Sequence, residues 1–278
     1  MRILSFDTTN NCVSIALLED ETVVSQRLFV SSGGERQESV TLLLPAVDEM
    51  LQEASWKKSA LDLIVVGIGP GSFTGIRIAV VTARTLAQAL NLPLAGVSLL
   101  DCYAARLYEL EGDLAEFSVV LSGGRGHFYF ASYKRVDSPS IDSACPAVTL
   151  QEVVAAQHGT LPEMEIALAS SKTWAVDSSL MESLSSMDEV RAVELPNLAN
   201  IAAFQGVLAC RRVAQRKSKN AASLASSGIS EENGRGVLPA DARESLLSDY
   251  PYRVVEPLYL RGASVTLKGS DGKATATN

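Results

Sequence analysis

A glycine-rich loop between a short apolar strand and a long apolar helix constrains this chain most. Residues 61–66 have the length and composition of a buried strand, and the loop at 67–75 follows directly. The spacing predicts a helix over 74–90, which a proline turn ends before a second strand at 94–97. Strand, helix and strand within about 37 residues form a βαβ unit, so part of the sheet is expected to be parallel.

The residues before this unit predict a three-stranded meander and one helix. The apolar runs at 3–6, 12–18 and 22–30 are predicted strands, and residues 7–11 form the first turn. From 36 to 54 the apolar residues recur at helical spacing. The first hundred residues therefore predict an α/β domain.

Helix 74–90 is apolar on both sides. One face carries Ile76, Ala79, Val80, Ala83, Ala87 and Leu90, and the opposite face carries Ile78, Val81, Leu86 and Ala89. A sheet covers only one side of a helix, so the second side needs another cover. Helix 36–54 has a similar second stripe, formed by Leu42, Ala46 and Met50.

These two helices predict a helix–helix interface with another chain. The alternative is that the rest of this chain covers both faces. The expected interface residues are Leu42, Ala46, Met50, Ile76, Val80, Ala83, Arg84 and Ala87.

The second half of the chain predicts a separate domain. Its length supports two domains, with expected boundaries at 1–100 and 101–278. Within the second domain the patterns predict a helix from 98 to 110, a hairpin of strands 116–121 and 127–133, a helix at 148–156, a strand at 165–169, and helices at 178–185 and 198–215. Helix 198–215 is expected to pack back on the first domain. Residues 217–236 have no apolar face and are predicted to be a mobile insert.

Charge and composition exclude several classes of protein. Lys and Arg total 24 against 32 Asp and Glu, which gives a net charge of −8. Such a chain binds phosphate backbones poorly by itself, so any contact with nucleic acid is expected to be indirect. The start of the chain has no signal-peptide core, and no window of 18 apolar residues could span a membrane. The chain is therefore predicted to be cytoplasmic.

The glycine-rich loop has two interpretations. Exposed amides at a helix start attract anions, which would make Asp7, Thr8, Gly69, Gly71, Ser72 and Thr74 an anion or nucleotide loop. The alternative is a tight turn that lets the helix pack closely on the sheet. The spacing matches neither a Walker loop nor a dinucleotide fingerprint. Four dispersed cysteines and two histidines match no metal-site spacing, so no metal site is predicted.

Several motifs together resemble one family. They are the runs Ile3-Leu4-Ser5-Phe6-Asp7-Thr8-Thr9, Val13-Ser14-Ile15-Ala16-Leu17, Gly69-Pro70-Gly71-Ser72-Phe73-Thr74-Gly75-Ile76-Arg77-Ile78 and Pro93-Leu94-Ala95-Gly96-Val97-Ser98-Leu99-Leu100. They closely resemble the bacterial TsaB (YeaZ) family, and the run from Gly69 is the most specific part. The resemblance continues more weakly in hairpin 124–133 and in segment 257–261.

This resemblance implies an actin-like ATPase fold (ASKHA, ribonuclease H-like) of two related domains. It also implies a non-catalytic scaffold in the formation of threonylcarbamoyladenosine beside the anticodon of tRNA. The implied partners are a TsaD-like catalytic subunit, a TsaE-like ATPase and a second copy when the chain is alone. No cofactor is expected on this chain alone, with ATP or ADP at the interface of the complex instead.

Two other functions remain open from the sequence. One is a free-standing ATP-dependent phosphotransferase that uses Asp7 and the glycine loop. The other is a metallopeptidase-like protein, which would need a metal ion.

Overall fold

The structure is a computed structural model. It describes residues 1–10, 12–30, 37–137, 148–178, 180–181, 190–196, 198, 200–226, 240–258, 266–268 and 274–276.

The first sheet has five strands in the order β3-β2-β1-β4-β5. These are β1 (Arg2–Asp7), β2 (Cys12–Glu19), β3 (Thr22–Val30), β4 (Leu63–Gly67) and β5 (Leu94–Val97). β1, β2 and β3 pair antiparallel, whereas β4 pairs parallel with both β1 and β5. The predicted meander and the predicted βαβ unit are both confirmed.

Two helices cover one face of this sheet. They are α1 (Gln37–Glu53) and α2 (Phe73–Leu90), and a 3-10 turn at Lys58–Ala60 lies between α1 and β4. The Ser72 hydroxyl caps α2 by accepting the Gly75 amide, and left-handed Asn91 ends the helix. The apolar stripes of both helices pack on β1, β2 and β4.

The second sheet repeats the topology of the first, in the order β10-β9-β6-β7-β8. Its strands are β6 (Glu116–Gly124), β7 (His127–Asp137), β8 (Val148–Thr160), β9 (Thr173–Val176) and β10 (Arg191–Glu194). β6, β7 and β8 pair antiparallel, and β9 pairs parallel with β6 and β10. Helix α3 (Leu99–Glu111) precedes this sheet and is capped by Ser98.

Two predictions in the second half were wrong. The predicted helix at 148–156 is part of strand β8, because its pairing with β7 outweighs the helical spacing of its alanines. The predicted strand at 165–169 falls in helix α4 (Leu161–Ala167) and the turn after it. A capping box of Thr160 and Glu163 starts α4. The predicted helix at 178–185 lies mostly outside the described residues.

A long helix, α5 (Ile201–Ser226), lies between the two sheets together with α3. Their apolar residues form one core with the inner faces of both sheets. Because α5 runs to Ser226, the predicted insert at 217–236 was wrong over its first ten residues, and 227–236 lie outside the described residues. The last elements are α6 (Ala240–Asp249), β11 (Thr266–Lys268) and β12 (Ala274–Ala276).

Candidate functional site

The turn after β1 packs directly into the glycine-rich loop. The Ser72 amide donates to the Thr9 carbonyl at 2.6 Å, and the Thr8 hydroxyl donates to the Gly75 carbonyl at 2.6 Å. A Cβ atom on Gly75 would lie 1.9 Å from the Thr8 carbonyl oxygen, and one on Gly71 would lie 2.4 Å from that of Thr9. These two glycines are therefore needed for close backbone approach.

Asp7 is buried at the centre of this contact. Its Oδ1 accepts from the amide and the hydroxyl of Thr9, both at 2.7 Å, and its Oδ2 accepts from Gln205 Nε2 at 2.6 Å. Burial raises the pKa of Asp7 above its ordinary value of 3.8, and the bonds from Thr9 and Gln205 partly oppose this rise. Both carboxyl oxygens are thus bound by groups of this chain.

Most residues of the predicted anion loop lie close together in the structure. They form the tight turn of the alternative interpretation. The amides of Ser72 and Gly75 donate to groups of the chain itself. Gly69 has a φ of 102°, and its carbonyl accepts the Leu99 amide, while Thr74 faces solvent. Binding of an anion or nucleotide by this loop stays a prediction.

Sequence reasoning missed Gln205 as a member of this cluster. Gln205 lies on α5, 198 residues from Asp7, so no local pattern joins the two. Thr9 lies in the predicted first turn at 7–11, and an Asp-Thr-Thr run favours a side-chain turn of this kind.

The structure corrects the predicted partner interface. Six of its eight residues are buried in the core of this chain against the first sheet, which leaves them unavailable at the surface: Ala46, Met50, Ile76, Val80, Ala83 and Ala87. Leu42 is exposed, and half-buried Arg84 donates to the Arg253 carbonyl at 3.2 Å. The helical spacing was predicted correctly, but the stripe that packs on the sheet was predicted to contact the partner.

Part of the apolar surface of both helices does reach solvent. Val81 on α2 is 63% exposed, and Leu42 and Leu44 on α1 are 39% and 45% exposed. Helices α1 and α2 contact each other on the same face of the sheet. The solvent side of these helices is called the outer helix face and is defined here by Val81. Leu42 and Leu44 lie two positions apart on α1, about 160° around the helix, and flank its buried stripe.

Other candidate groups are dispersed. Within the described residues, no three His, Cys, Asp or Glu side chains are arranged to hold a metal ion. His127 and His158 stack with their ring centres 4.8 Å apart. Cys12, Cys102 and Cys210 are free thiols, and burial raises the pKa of Cys210 to about 11. None of the described helices is long and apolar enough to cross a membrane.

Comparison with known proteins decides the family. Residues 34–227 match a family model described as "TsaD: tRNA N6-adenosine threonylcarbamoyltransferase". The tRNA threonylcarbamoyladenosine biosynthesis protein TsaB of Bacillus subtilis (strain 168) is 36% identical over 134 residues, which are 48% of this chain and 56% of that protein. The chain belongs to the TsaB/YeaZ family. TsaB of Escherichia coli (strain K12) is 32% identical over 135 residues, 49% of this chain and 56% of that protein.

Solved structures of family members share this fold. An uncharacterized protein with similarity to peptidase YEAZ from Pseudomonas aeruginosa matches with a TM-score of 0.58 and 21% identity, over 94% of this chain and 99% of that one. YeaZ from Pseudomonas aeruginosa matches with a TM-score of 0.52 and 24% identity, over 78% and 93%. The predicted actin-like ATPase fold is confirmed. The chain spans about half the length of the curated relatives it matches, so their activity and partners are proposals for it.

Proposed function

We propose that this TsaB/YeaZ family member is a non-catalytic subunit in the formation of threonylcarbamoyladenosine in tRNA. It acts by binding a TsaD-like catalytic subunit through the outer helix face. The observation that carries this proposal is the 63% exposure of the apolar Val81 side chain on α2, a helix that packs beside α1. Exposed apolar side chains next to a neighbouring helix are a feature of protein interfaces.

The geometry of α2 supports this assignment. Successive residues of an α-helix are 100° apart, so Val81 lies opposite the stripe of Ala79 and Ala83. That stripe is fully buried against the sheet, so Val81 must point away from the core. A partner helix could therefore pack on Val81 without unfolding any part of this chain.

The cluster around Asp7 supports a non-catalytic role. Both carboxyl oxygens of Asp7 already accept hydrogen bonds from Thr9 and Gln205. Asp7 is also only 1% exposed, whereas a carboxylate that holds a metal–nucleotide complex needs an oxygen that the ligand can reach. We therefore place ATP or ADP, together with a TsaE-like ATPase, at the interface with the partner complex.

In the absence of the partner, the outer helix face would pair with that of a second copy to form a homodimer. The net charge of −8 supports contact with tRNA only through the partner. The proposal places this work in the cytoplasm.

Reconstitution tests the proposal. A TsaD-like subunit, a TsaE-like ATPase, the threonylcarbamoyl donor and unmodified tRNA are combined with and without this chain, and the modified nucleoside is measured by mass spectrometry. The product should form only when the chain is present. Equal product without the chain would contradict the proposal, and hydrolysis of magnesium ATP by the chain alone would support the phosphotransferase alternative instead.

The matched variants are Val81→Arg and Val153→Arg. Val153 is 49% exposed on β8 of the second sheet, so it receives the same change far from the outer helix face. Val81→Arg should remove most of the product, and Val153→Arg should leave it unchanged. Ala83→Arg is not a useful variant, because Ala83 is fully buried and an arginine there would unfold the chain.

A further inference from the structure

Strand β3 is the outer edge of the first sheet within the described part of the chain. The opposite edge, β5, is covered by the chain's own segment 250–258. There the Leu94 amide donates to the Tyr250 carbonyl at 3.0 Å, and a Cβ atom on Gly96 would lie 3.1 Å from Val255. The two edges therefore differ within the described residues. Segment 250–258 covers β5, whereas β3 is bound at the Arg27 carbonyl, which accepts from Asn200 Nδ2 at 3.2 Å.

The β3 edge is long and apolar. It has nine residues, which at about 3.4 Å per residue make a strand of about 30 Å. Val23, Val24, Leu28 and Val30 are 39%, 45%, 46% and 71% exposed. A long edge strand with exposed apolar side chains is a template for pairing with another strand.

Charge does not protect this edge. Arg27 is the one charged residue in the sequence of β3. Its guanidinium forms ion pairs with Glu49, at 2.7 Å, and with Glu53, both on α1. The charge that would repel an incoming strand is therefore already neutralised within the chain.

We propose that β3 pairs antiparallel with β3 of a second copy of this chain, with Gln26 opposite Gln26. The two sheets then form one continuous sheet of ten strands. In this register Ser25 lies opposite Arg27, and Val23 and Val24 approach Leu28 and Phe29. Such apolar cross-strand pairs are stabilising. β3 is irregular at Val24, because β2 pairs Leu17 with Ser25 and Leu18 with Val23.

Neighbouring registers are less favourable. Centring the pair on Arg27 places Gln26 opposite Leu28 and Ser25 opposite Phe29, which are pairs of a polar with an apolar residue. Centring it on Ser25 places Val24 opposite Gln26 and Val23 opposite Arg27. Of the three, the Gln26 register alone brings both Val23 and Val24 to apolar residues and places Arg27 opposite Ser25.

This contact is separate from the outer helix face. It uses the edge of the sheet, whereas Val81 points outward from α2. The two contacts are therefore tested independently, in a Val81→Arg background that removes association through the helices. Every variant also carries Cys12→Ser, because Cys12 lies opposite Val30 in the β2–β3 register.

The test is disulfide formation between two copies. Gln26→Cys places two thiols opposite each other in the proposed dimer, within reach of a disulfide. The matched control is Gln151→Cys, an exposed position on β8, which is the edge strand of the second sheet. Covalent dimer is followed on non-reducing gels under the same mild oxidation.

Gln26→Cys should form covalent dimer at least tenfold faster than Gln151→Cys. Adding Leu28→Lys or Val24→Lys to Gln26→Cys should slow dimer formation at least tenfold, with an unchanged melting temperature because both positions are exposed. Equal rates for the Gln26→Cys and Gln151→Cys variants would overturn the proposal. The proposal would also be overturned if neither lysine substitution changes the rate at which Gln26→Cys forms covalent dimer.

Discussion

The two sheets begin with the same topology, but their first turns differ. The turn between β1 and β2 is buried, where Thr8 and Thr9 bond to the glycine-rich loop and Asp7 bonds to Gln205 of α5. The turn between β6 and β7 is open. Gly124 and Gly126 have φ values of 73° and 75°, and added Cβ atoms there would meet nothing within 4 Å.

This difference shows that packing, and not strand topology, decides what such a turn can do. The first turn is held between the start of α2 and the first turns of α5. At the second turn the Ser122 amide donates to the Asp177 carboxylate at 2.9 Å, at an exposed site. The first turn therefore fixes the position of α2, whose outer side is the proposed partner surface.

The largest difference is expected between two glycine-to-alanine variants. Gly75→Ala places a methyl group 1.9 Å from the Thr8 carbonyl oxygen and should cost about 3 kcal/mol or more. Gly124→Ala meets no neighbour and should cost only about 1 kcal/mol, from its left-handed φ. Urea unfolding followed by circular dichroism measures both. Equal losses would mean that the first turn is no more tightly packed than the second.

Removing the side-chain tie of each turn should give a smaller difference. Gln205→Ala removes the hydrogen bond to buried Asp7 and should cost about 2 kcal/mol. Asp177→Ala removes a bond at a partly exposed site and should cost about 0.5 kcal/mol. The same urea titration measures both, and a larger loss for Asp177→Ala would contradict the comparison.

The pH dependence of stability in Asp7→Asn tests the buried first turn further. The pKa of Asp7 is raised in the folded chain, so the stability that the protonated acid contributes is present below pH 3.8 and is lost as pH rises through the folded pKa. The stability of the natural chain relative to Asp7→Asn should therefore fall with rising pH above 3.8. Gln205 Oε1 has no hydrogen-bond partner, so an amide rotation lets it accept from the new asparagine. Chemical unfolding at a series of pH values measures the difference, and parallel curves would contradict a raised pKa.

The smallest effect is expected at the tip of the open turn. Arg125 has a φ of 55°, a conformation that glycine adopts without steric cost. Arg125→Gly should change stability by less than about 1 kcal/mol, because relief of this strain opposes the greater freedom of glycine in the unfolded chain. A thermal melt of Arg125→Gly, compared with that of the natural chain, measures this change in stability. A loss as large as that of Gly75→Ala would show that the open turn is also packed.

Much of the first sheet could be predicted from the sequence. Its strands are short apolar runs separated by turn residues, and α2 has a Ser72 cap and a helical stripe. In these elements local pattern and tertiary packing agree. The second sheet was harder to predict, because the apolar residues of 148–156 have the spacing of a helix but pair with β7 as a strand.

The candidate site was only partly predictable. Asp7 and the glycine loop were found because they are adjacent to strand ends, but Gln205 reaches Asp7 only through the tertiary fold. The choice between the two stripes of α2 was also beyond the sequence. Both are apolar, and only packing shows that Ala83 faces the sheet and Val81 faces solvent.

Calorimetric titration of a TsaD-like subunit into this chain tests the central claim most directly. The natural chain and Val153→Arg should bind with the same affinity, and Val81→Arg should show at least a tenfold weaker association. An unchanged affinity for Val81→Arg, with its fold intact by circular dichroism, would contradict binding through the outer helix face.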